Sequence, residues 1–208
     1  MNIKKILNSE NISEALEKNE DIIFKEIPEL KPEKNFNQQH PHHHLDLWNH
    51  TKCALSLSSN NEIIRISLLL HDIGKPICYT LQNGVKHYKN HPEISANLSY
   101  KILKRLNYNE EEIELITFLI RNHDTKITED NIKENCNLYY MLSQIQYCDA
   151  LAHNPDYLEK RIKYLQEIKE IFSKKINISN DFFMPLIDIN NSFDLKHKIK
   201  CKLLSKYK

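Results

Sequence analysis

Between Ile63 and Leu70 the chain is apolar at positions 63, 64, 66, 68, 69 and 70. Wound as a helix, such a run carries apolar side chains on nearly every side, so other elements have to enclose it. The helix delivers an adjacent His71 and Asp72, and Gly74 and Pro76 then stop it. An imidazole and a carboxylate side by side at the mouth of a dry core can hold a divalent ion, and Lys75 just beyond can meet the negative charge of a substrate. Taken alone, the dipeptide also reads as a surface His-Asp pair at a helix end.

The enclosing elements are predicted to be helices as well. Only two glycines, Gly74 and Gly84, occur among 208 residues, and apolar positions recur mostly every three or four residues, which predicts an all-α fold. The formal charge is +1, which argues against a protein that binds nucleic acid through bulk charge. The cysteines at 53, 78, 136, 148 and 201 are odd in number and show no C-x-x-C spacing. They read as reduced, mostly buried thiols rather than a disulfide frame or a zinc knuckle. No apolar run approaches a membrane span and the N-terminus lacks the apolar core of a signal peptide, so the expected compartment is the cytoplasm.

Residues 1–37 are read as a helical cover, with Ile3, Ile6 and Leu7 on one segment and Ile12, Ala15 and Leu16 on the next, behind Asn11 or Ser13 as cap. This region carries no chemistry that the sequence makes visible. From Gln38 histidines crowd in: His40, His42, His43 and His44, then His50 in a helix expected from about His44 to Ser58. His40 and His42 read as a histidine-rich loop, whereas His50, amid Trp48 and aliphatic neighbours, needs a partner. Asn83-Gly84 between two β-prone runs predicts a small hairpin over about residues 77–88. Pro92 suits the first turn of a helix to about Leu106, with His91 at its start. His123 follows the helix that begins with the acidic run Glu110–Glu112 and has Arg121 in its last turn. A loop is expected from Thr125 to Asn137, and Asp149 lies amid the apolar residues of a helix from Leu138 to Ala152, where a carboxylate needs a cation or strong donors. A further helix with apolar residues at 158, 162, 165, 168, 171 and 172 is read as core or partner seam, and residues 176–208 as a docked loop and short terminal helix.

The ordered set is therefore His50, His71-Asp72, His91, His123 and Asp149, four imidazoles and two carboxylates, a combination that suits one or two first-row divalent ions. Together with the words around it (His43-His44-Leu45-Asp46-Leu47-Trp48-Asn49-His50-Thr51, His71-Asp72-Ile73-Gly74-Lys75-Pro76, His91-Pro92-Glu93 and Asp149 to His153) it resembles the HD-domain metal-dependent phosphohydrolase superfamily. More narrowly, it resembles the HD domain attached to bacterial CCA-adding tRNA nucleotidyltransferases. The resemblance runs from about Gln38 to Asp156 and implies an HD domain over 38–175. The forty residues ahead of it are too few to hold a nucleotidyltransferase head, so CCA addition itself is not expected.

The resemblance implies an HD helical bundle and hydrolysis of a phosphate ester. His50, His71, Asp72 and Asp149 would hold a first ion, and His91 and His123 with Asp72 a second. A metal-bound water with its pKa lowered to about 7 would be the nucleophile. Lys75 would hold phosphate oxygens, and His43 or His44 would protonate the leaving alkoxide. Arg121 is a further candidate for phosphate contact, with a surface role as its alternative. The cofactor would be one or two ions of iron, manganese, cobalt, nickel or zinc, and the partner a phosphorylated small molecule, a nucleotide or an RNA end, with no membrane. The alternative function is a non-catalytic, metal-containing module that binds RNA or nucleotides.

Overall fold

The computed structural model describes residues 2–175; the loop and short helix expected at 176–208 lie outside the described residues. Eleven helices and one two-stranded antiparallel sheet make up the described part, and no described helix is long and apolar enough to cross a membrane.

Three short helices lead: α1 (Ile3–Leu7) behind the N-cap Asn2, α2 (Ile12–Lys18) behind Asn11, and α3 (Glu20–Glu26), followed by a 3-10 turn at Pro28–Glu33. They are tied to the next two helices by polar contacts as well as apolar ones. The Trp48 indole N–H donates to Glu20 at 2.6 Å while its ring packs 4.9 Å from that of Phe24. Thr51 donates to Glu33 at 3.1 Å, and the Arg65 guanidinium donates to the Ser9 carbonyl at 2.7 Å.

Helix α4 (Leu47–Ser56) begins later than expected, because Asp46 caps it by accepting from the Asn49 N–H. Helix α5 (Glu62–Leu70) is the apolar run. It packs against α1 and α4 and against three later helices, α7 (His91–Arg105), α8 (Glu110–Asn122) and α10 (Cys136–Ala152). Ile66, Leu68, Leu69 and Leu70 are fully buried, and each such side chain contributes about 1.5–3 kcal/mol.

The end of α5 differs from the expected glycine stop. Gly74 has φ −80°, an ordinary right-handed value, and Pro76 lies in the first turn of a new helix, α6 (Lys75–Cys78). What excludes a side chain at 74 is space: a Cβ there would stand 3.0 Å from the His91 carbonyl oxygen, from Ile94 Cγ2 and from the Ser95 nitrogen. The Gly74 N–H donates to Ser95 Oγ at 3.0 Å, so α7 is seated directly on the corner that follows α5. The proline also corrects the expected hairpin bounds. Residues 77 and 78 are helical, because proline starts a helix readily, and the strands are β1 (Thr80–Gln82) and β2 (Val85–His87), with Thr80 opposite His87 and Gln82 opposite Val85. Asn83 (φ 50°) and Gly84 (φ 77°) make the turn with both residues left-handed, as the Asn-Gly pair predicts.

Asn90, itself left-handed at φ 63°, turns the chain into α7. A capping box between Asn109 and Glu112 opens α8. The expected loop from Thr125 to Asn137 instead contains α9 (Glu129–Glu134), started by a reciprocal Thr128–Asn131 box and anchored by the buried Ile132. In α11 (Glu159–Lys175), Ile162, Leu165, Ile168 and Phe172 are buried against the rest of the core.

Candidate metal centre

Each histidine of the ordered set reaches the centre from an element that also fixes its ring. His71 and His123 are the residues that follow α5 and α8, and each Nδ1 lies 2.7 Å from a carbonyl in its own last turn, Leu68 and Ile120 respectively. His91, first residue of α7, has Nδ1 2.9 Å from the Tyr88 carbonyl. His50, inside α4, has Nδ1 3.3 Å from the Ala152 carbonyl at the end of α10. A carbonyl oxygen only accepts, so each contact requires the proton on Nδ1 and leaves Nε2 of the neutral ring with a bare lone pair.

Those Nε2 atoms converge on two carboxylates. His50 Nε2 lies 3.0 Å from Asp149 Oδ1, and His71 Nε2 lies 3.3 Å from Asp72 Oδ2 and 3.5 Å from Asp149 Oδ1. On the other side of Asp72, His91 Nε2 is 3.2 Å and His123 Nε2 3.7 Å from Oδ1. The two groups are thus His50, His71, Asp72 and Asp149, and Asp72, His91 and His123, with the ligand atoms of each group within 4.8 Å of one another and every member buried.

This donor set fits divalent ions on three observations. His91 Nε2 and His123 Nε2 stand 3.2 Å apart with both Nδ1 protons given to carbonyls, so two lone pairs face each other unless a cation or an extra proton lies between them. Atoms that share an ion at about 2.0–2.1 Å are about 3 Å apart, the same separation. Neither oxygen of Asp72 nor Nε2 of His71 has a well-directed hydrogen bond, and buried polar atoms are ordinarily satisfied. The carbonyl contacts at Nδ1 are also the orienting bonds that metal-ligating histidines make.

The electrostatics agree. Burial works against ionisation of Asp72, but His71, Lys75 and His91 hold it well below the ordinary carboxylate value. At Asp149 burial is likewise overcome, by His153, His50, His71 and Arg161. The two charged carboxylates in turn overcome the burial of His71 and push its pKa up to about 9. Positive charge is therefore drawn to this spot, and without an ion a proton supplies it.

Lys75 sits over the centre, with Nζ 2.7 Å from Asp72 Oδ2 and 3.3 Å from Gln38 Oε1. A cavity of about 210 Å³ opens there, lined by Asp72, Lys75, His91, His123 and Asp149 and walled by His40, His42, His43, His87 and Arg161. His40 and His42 thus belong to the cavity wall rather than to a detached loop. His43 is nearly enclosed, and burial with the charge of Lys75 pushes its pKa far down, so its ring is neutral. His44 does not line the cavity. Arg121 does not reach it either; it forms an exposed ion pair with Glu93 at 2.7 Å. Successive helical residues are 100° apart, so Arg121 points about 200° away from His123 around the axis.

Residues outside the expected set also meet the centre. Arg161 donates to Asp149 Oδ2 at 2.9 Å. His153 has Nδ1 2.8 Å from the Asp149 carbonyl oxygen, and its ring stacks 4.5 Å from that of His43. Asp124 Oδ2 lies 3.4 Å from His91 Nε2. Glu33, in the segment read as chemically silent, is fully buried, and burial and the charge of Asp72 raise its pKa well above the ordinary value. A signal existed for His153, four residues after Asp149 on one helix, and for Asp124, next to His123. Glu33, Gln38 and Arg161 arrive through tertiary packing that no local spacing encodes.

A family model described as HD domain matches residues 42–165, more than half of the chain. Among curated proteins, an uncharacterized protein of Clostridium beijerinckii is 45% identical over 76 residues, 36% of this chain and 44% of that protein. The A-adding tRNA nucleotidyltransferase of Deinococcus radiodurans is 27% identical over 112 residues, 50% of this chain and 26% of that enzyme. The match therefore spans less than half the length of either relative.

Proposed function

The chain belongs to the HD domain family, and from that premise we propose that it is a divalent-metal-dependent phosphohydrolase acting on nucleotides or RNA-terminal phosphates. The observation that carries this reading is the close approach of His91 and His123 Nε2, 3.2 Å apart beside the buried carboxylate of Asp72, with both Nδ1 atoms against carbonyl oxygens. Such an arrangement is costly unless cations neutralise it.

In this reading His50, His71, Asp72 and Asp149 hold one ion, and Asp72, His91 and His123 hold a second. The chemistry that divalent ions supply in such a set is charge neutralisation at phosphorus and acidification of water toward a pKa of about 7. Iron, manganese, cobalt, nickel and zinc all suit imidazole and carboxylate donors. The protein's own part is to orient and to exclude. The carbonyl contacts of the four histidines fix their rings, Arg161 steadies Asp149, and Lys75, held by Gln38 and Asp72, aims an ammonium into the cavity where a phosphate oxygen is to be bound. His43 Nδ1 is buried without a protein partner, and a substrate oxygen or an ordered water completes it.

The match to a tRNA nucleotidyltransferase supports nucleotide or RNA-end substrates, and an odd number of cysteines without C-x-x-C spacing supports a reducing compartment, the cytoplasm. Residues 38–175 form the phosphohydrolase domain in this account, with 1–37 as its cover. The test is hydrolysis of a chromogenic phosphodiester and of p-nitrophenyl phosphate by the tag-free protein with added manganese or nickel. Asp72→Ala is expected to lower the rate by more than about 100-fold, since even the partners that orient metal ligands are worth about 10–100-fold. A rate that survives this change overturns the proposal.

A further inference from the structure

Beside the centre lies a second cavity, larger than the first at about 320 Å³ and different in chemistry. His123, Asp124 and Arg161 line both, so the two adjoin. The floor is apolar, formed by the buried Ala150 of α10 and Leu165 of α11. One wall is Tyr164, whose hydroxyl accepts from the Ile127 N–H at 2.8 Å and donates to Gln146 Oε1 at 3.0 Å. The Gln146 amide donates in turn to the Thr125 carbonyl at 2.7 Å. These groups satisfy one another, so the wall is rigid and its main offering to a ligand is an aromatic ring.

The rim is cationic. Lys126 and Lys160 are exposed there, and among the described residues neither is in an ion pair. The cavity's carboxylate, Asp124, is already paired, with Arg161 Nη2 3.6 Å from Oδ1. The cavity therefore joins an aromatic wall, over which Lys126 Nζ stands 6.0 Å from the Tyr164 ring centre, an aliphatic floor and positive charge without an ion-pair partner among the described residues, next to a centre suited to phosphate. Stacking on an aromatic ring combined with cations along the backbone is how proteins hold nucleotides without reading the base.

Resting on the proposed phosphohydrolase activity, we infer that this cavity takes the nucleoside of the substrate, its base against Tyr164, Ala150 and Leu165, while Lys126 and Lys160 meet a second phosphate on that nucleoside. The substrate class is then a nucleoside carrying phosphate at two positions, either free or as the phosphorylated end of an RNA. Because Tyr164 and Gln146 spend their hydrogen bonds on the protein, adenosine and uridine forms are expected to serve about equally.

The experiment uses the full chain loaded with manganese and three probes: adenosine 3′,5′-bisphosphate, a 3′-phosphorylated dinucleotide, and phenyl phosphate, which lacks both nucleoside and second phosphate. In Lys126→Ala/Lys160→Ala the ratio of kcat/KM for the bisphosphate to that for phenyl phosphate is expected to fall about three- to tenfold, the scale of two exposed charge contacts. Whichever of the bisphosphate and the dinucleotide shows the larger fall identifies the source of the nucleoside. An unchanged ratio for both overturns the inference. Calorimetric binding of the bisphosphate separates this from the activity itself. Binding weakened by the lysine changes in a protein that hydrolyses nothing would leave the cavity assignment standing and overturn the hydrolase; neither binding nor hydrolysis would overturn both.

Discussion

The two halves of the centre share Asp72 but are built differently. The inner half, His50, His71 and Asp149, comes from α4, the residue that ends α5, and α10, and adds a second carboxylate backed by Arg161. The outer half, His91 and His123, comes from α7 and α8, has two imidazoles and no carboxylate of its own, and faces the exposed Asp124 at the cavity mouth. Two carboxylates hold a hard divalent cation more tightly than one, and deeper burial slows its exchange. In the proposed reading the inner half is the retentive site and the outer half the exchangeable one.

The sharpest way to break this contrast is at the shared residue. Asp72→Ala is expected to empty both halves and to lower hydrolysis by more than about 100-fold, read by elemental analysis and rate together; retention of one ion would show that Asp72 does not join the halves. Next in size is Gly74→Ala, whose new Cβ would stand 3.0 Å from atoms of His91, Ile94 and Ser95. It pushes α7 off the His-Asp corner. The expected cost is about 1–3 kcal/mol in a denaturant melt, with the outer ion lost before the inner one.

A pH series sharpens the contrast without mutation. In the metal-free protein the folded His71 pKa is raised to about 9 from 6.5. The stability it contributes is therefore fully present below pH 6.5 and lost as pH rises through 9. The melting temperature of metal-free protein is expected to fall over that window, while the metal-loaded protein, whose ions replace the proton, should not follow it. Asp72 and Asp149, held below 3.8, act in the opposite sense, so stability is also lost as pH falls below about 4. Smallest of all, Glu93→Gln breaks the exposed pair with Arg121 and is expected to change stability by less than about 0.5 kcal/mol and metal content not at all.

The parts of this molecule legible in its sequence are those governed by local chemistry. The apolar run of α5, the Asn83-Gly84 turn and the acidic start of α8 at Glu110–Glu112 each need only a few adjacent residues to declare themselves. The histidines that the structure gathers could be singled out because they end or interrupt packed helices, where a polar group needs a reason. Illegible were elements whose signals are short or compete. Pro76 starts α6 inside a β-prone run, and α9 has Ile132 as its buried anchor. Arg121 misleads because nearness in sequence to His123 is not nearness on a helix. Glu33, Gln38 and Arg161 come to the centre from segments far from it in sequence, and their arrival depends on packing across the whole core.

The most direct measurement is the metal content of tag-free protein by elemental analysis, wild type beside His123→Ala. Nearly two ions per chain are expected in the wild type and one in the variant, with the remaining ion resisting dialysis. No stoichiometric metal in a folded wild-type protein, or equal content in the two, would contradict this.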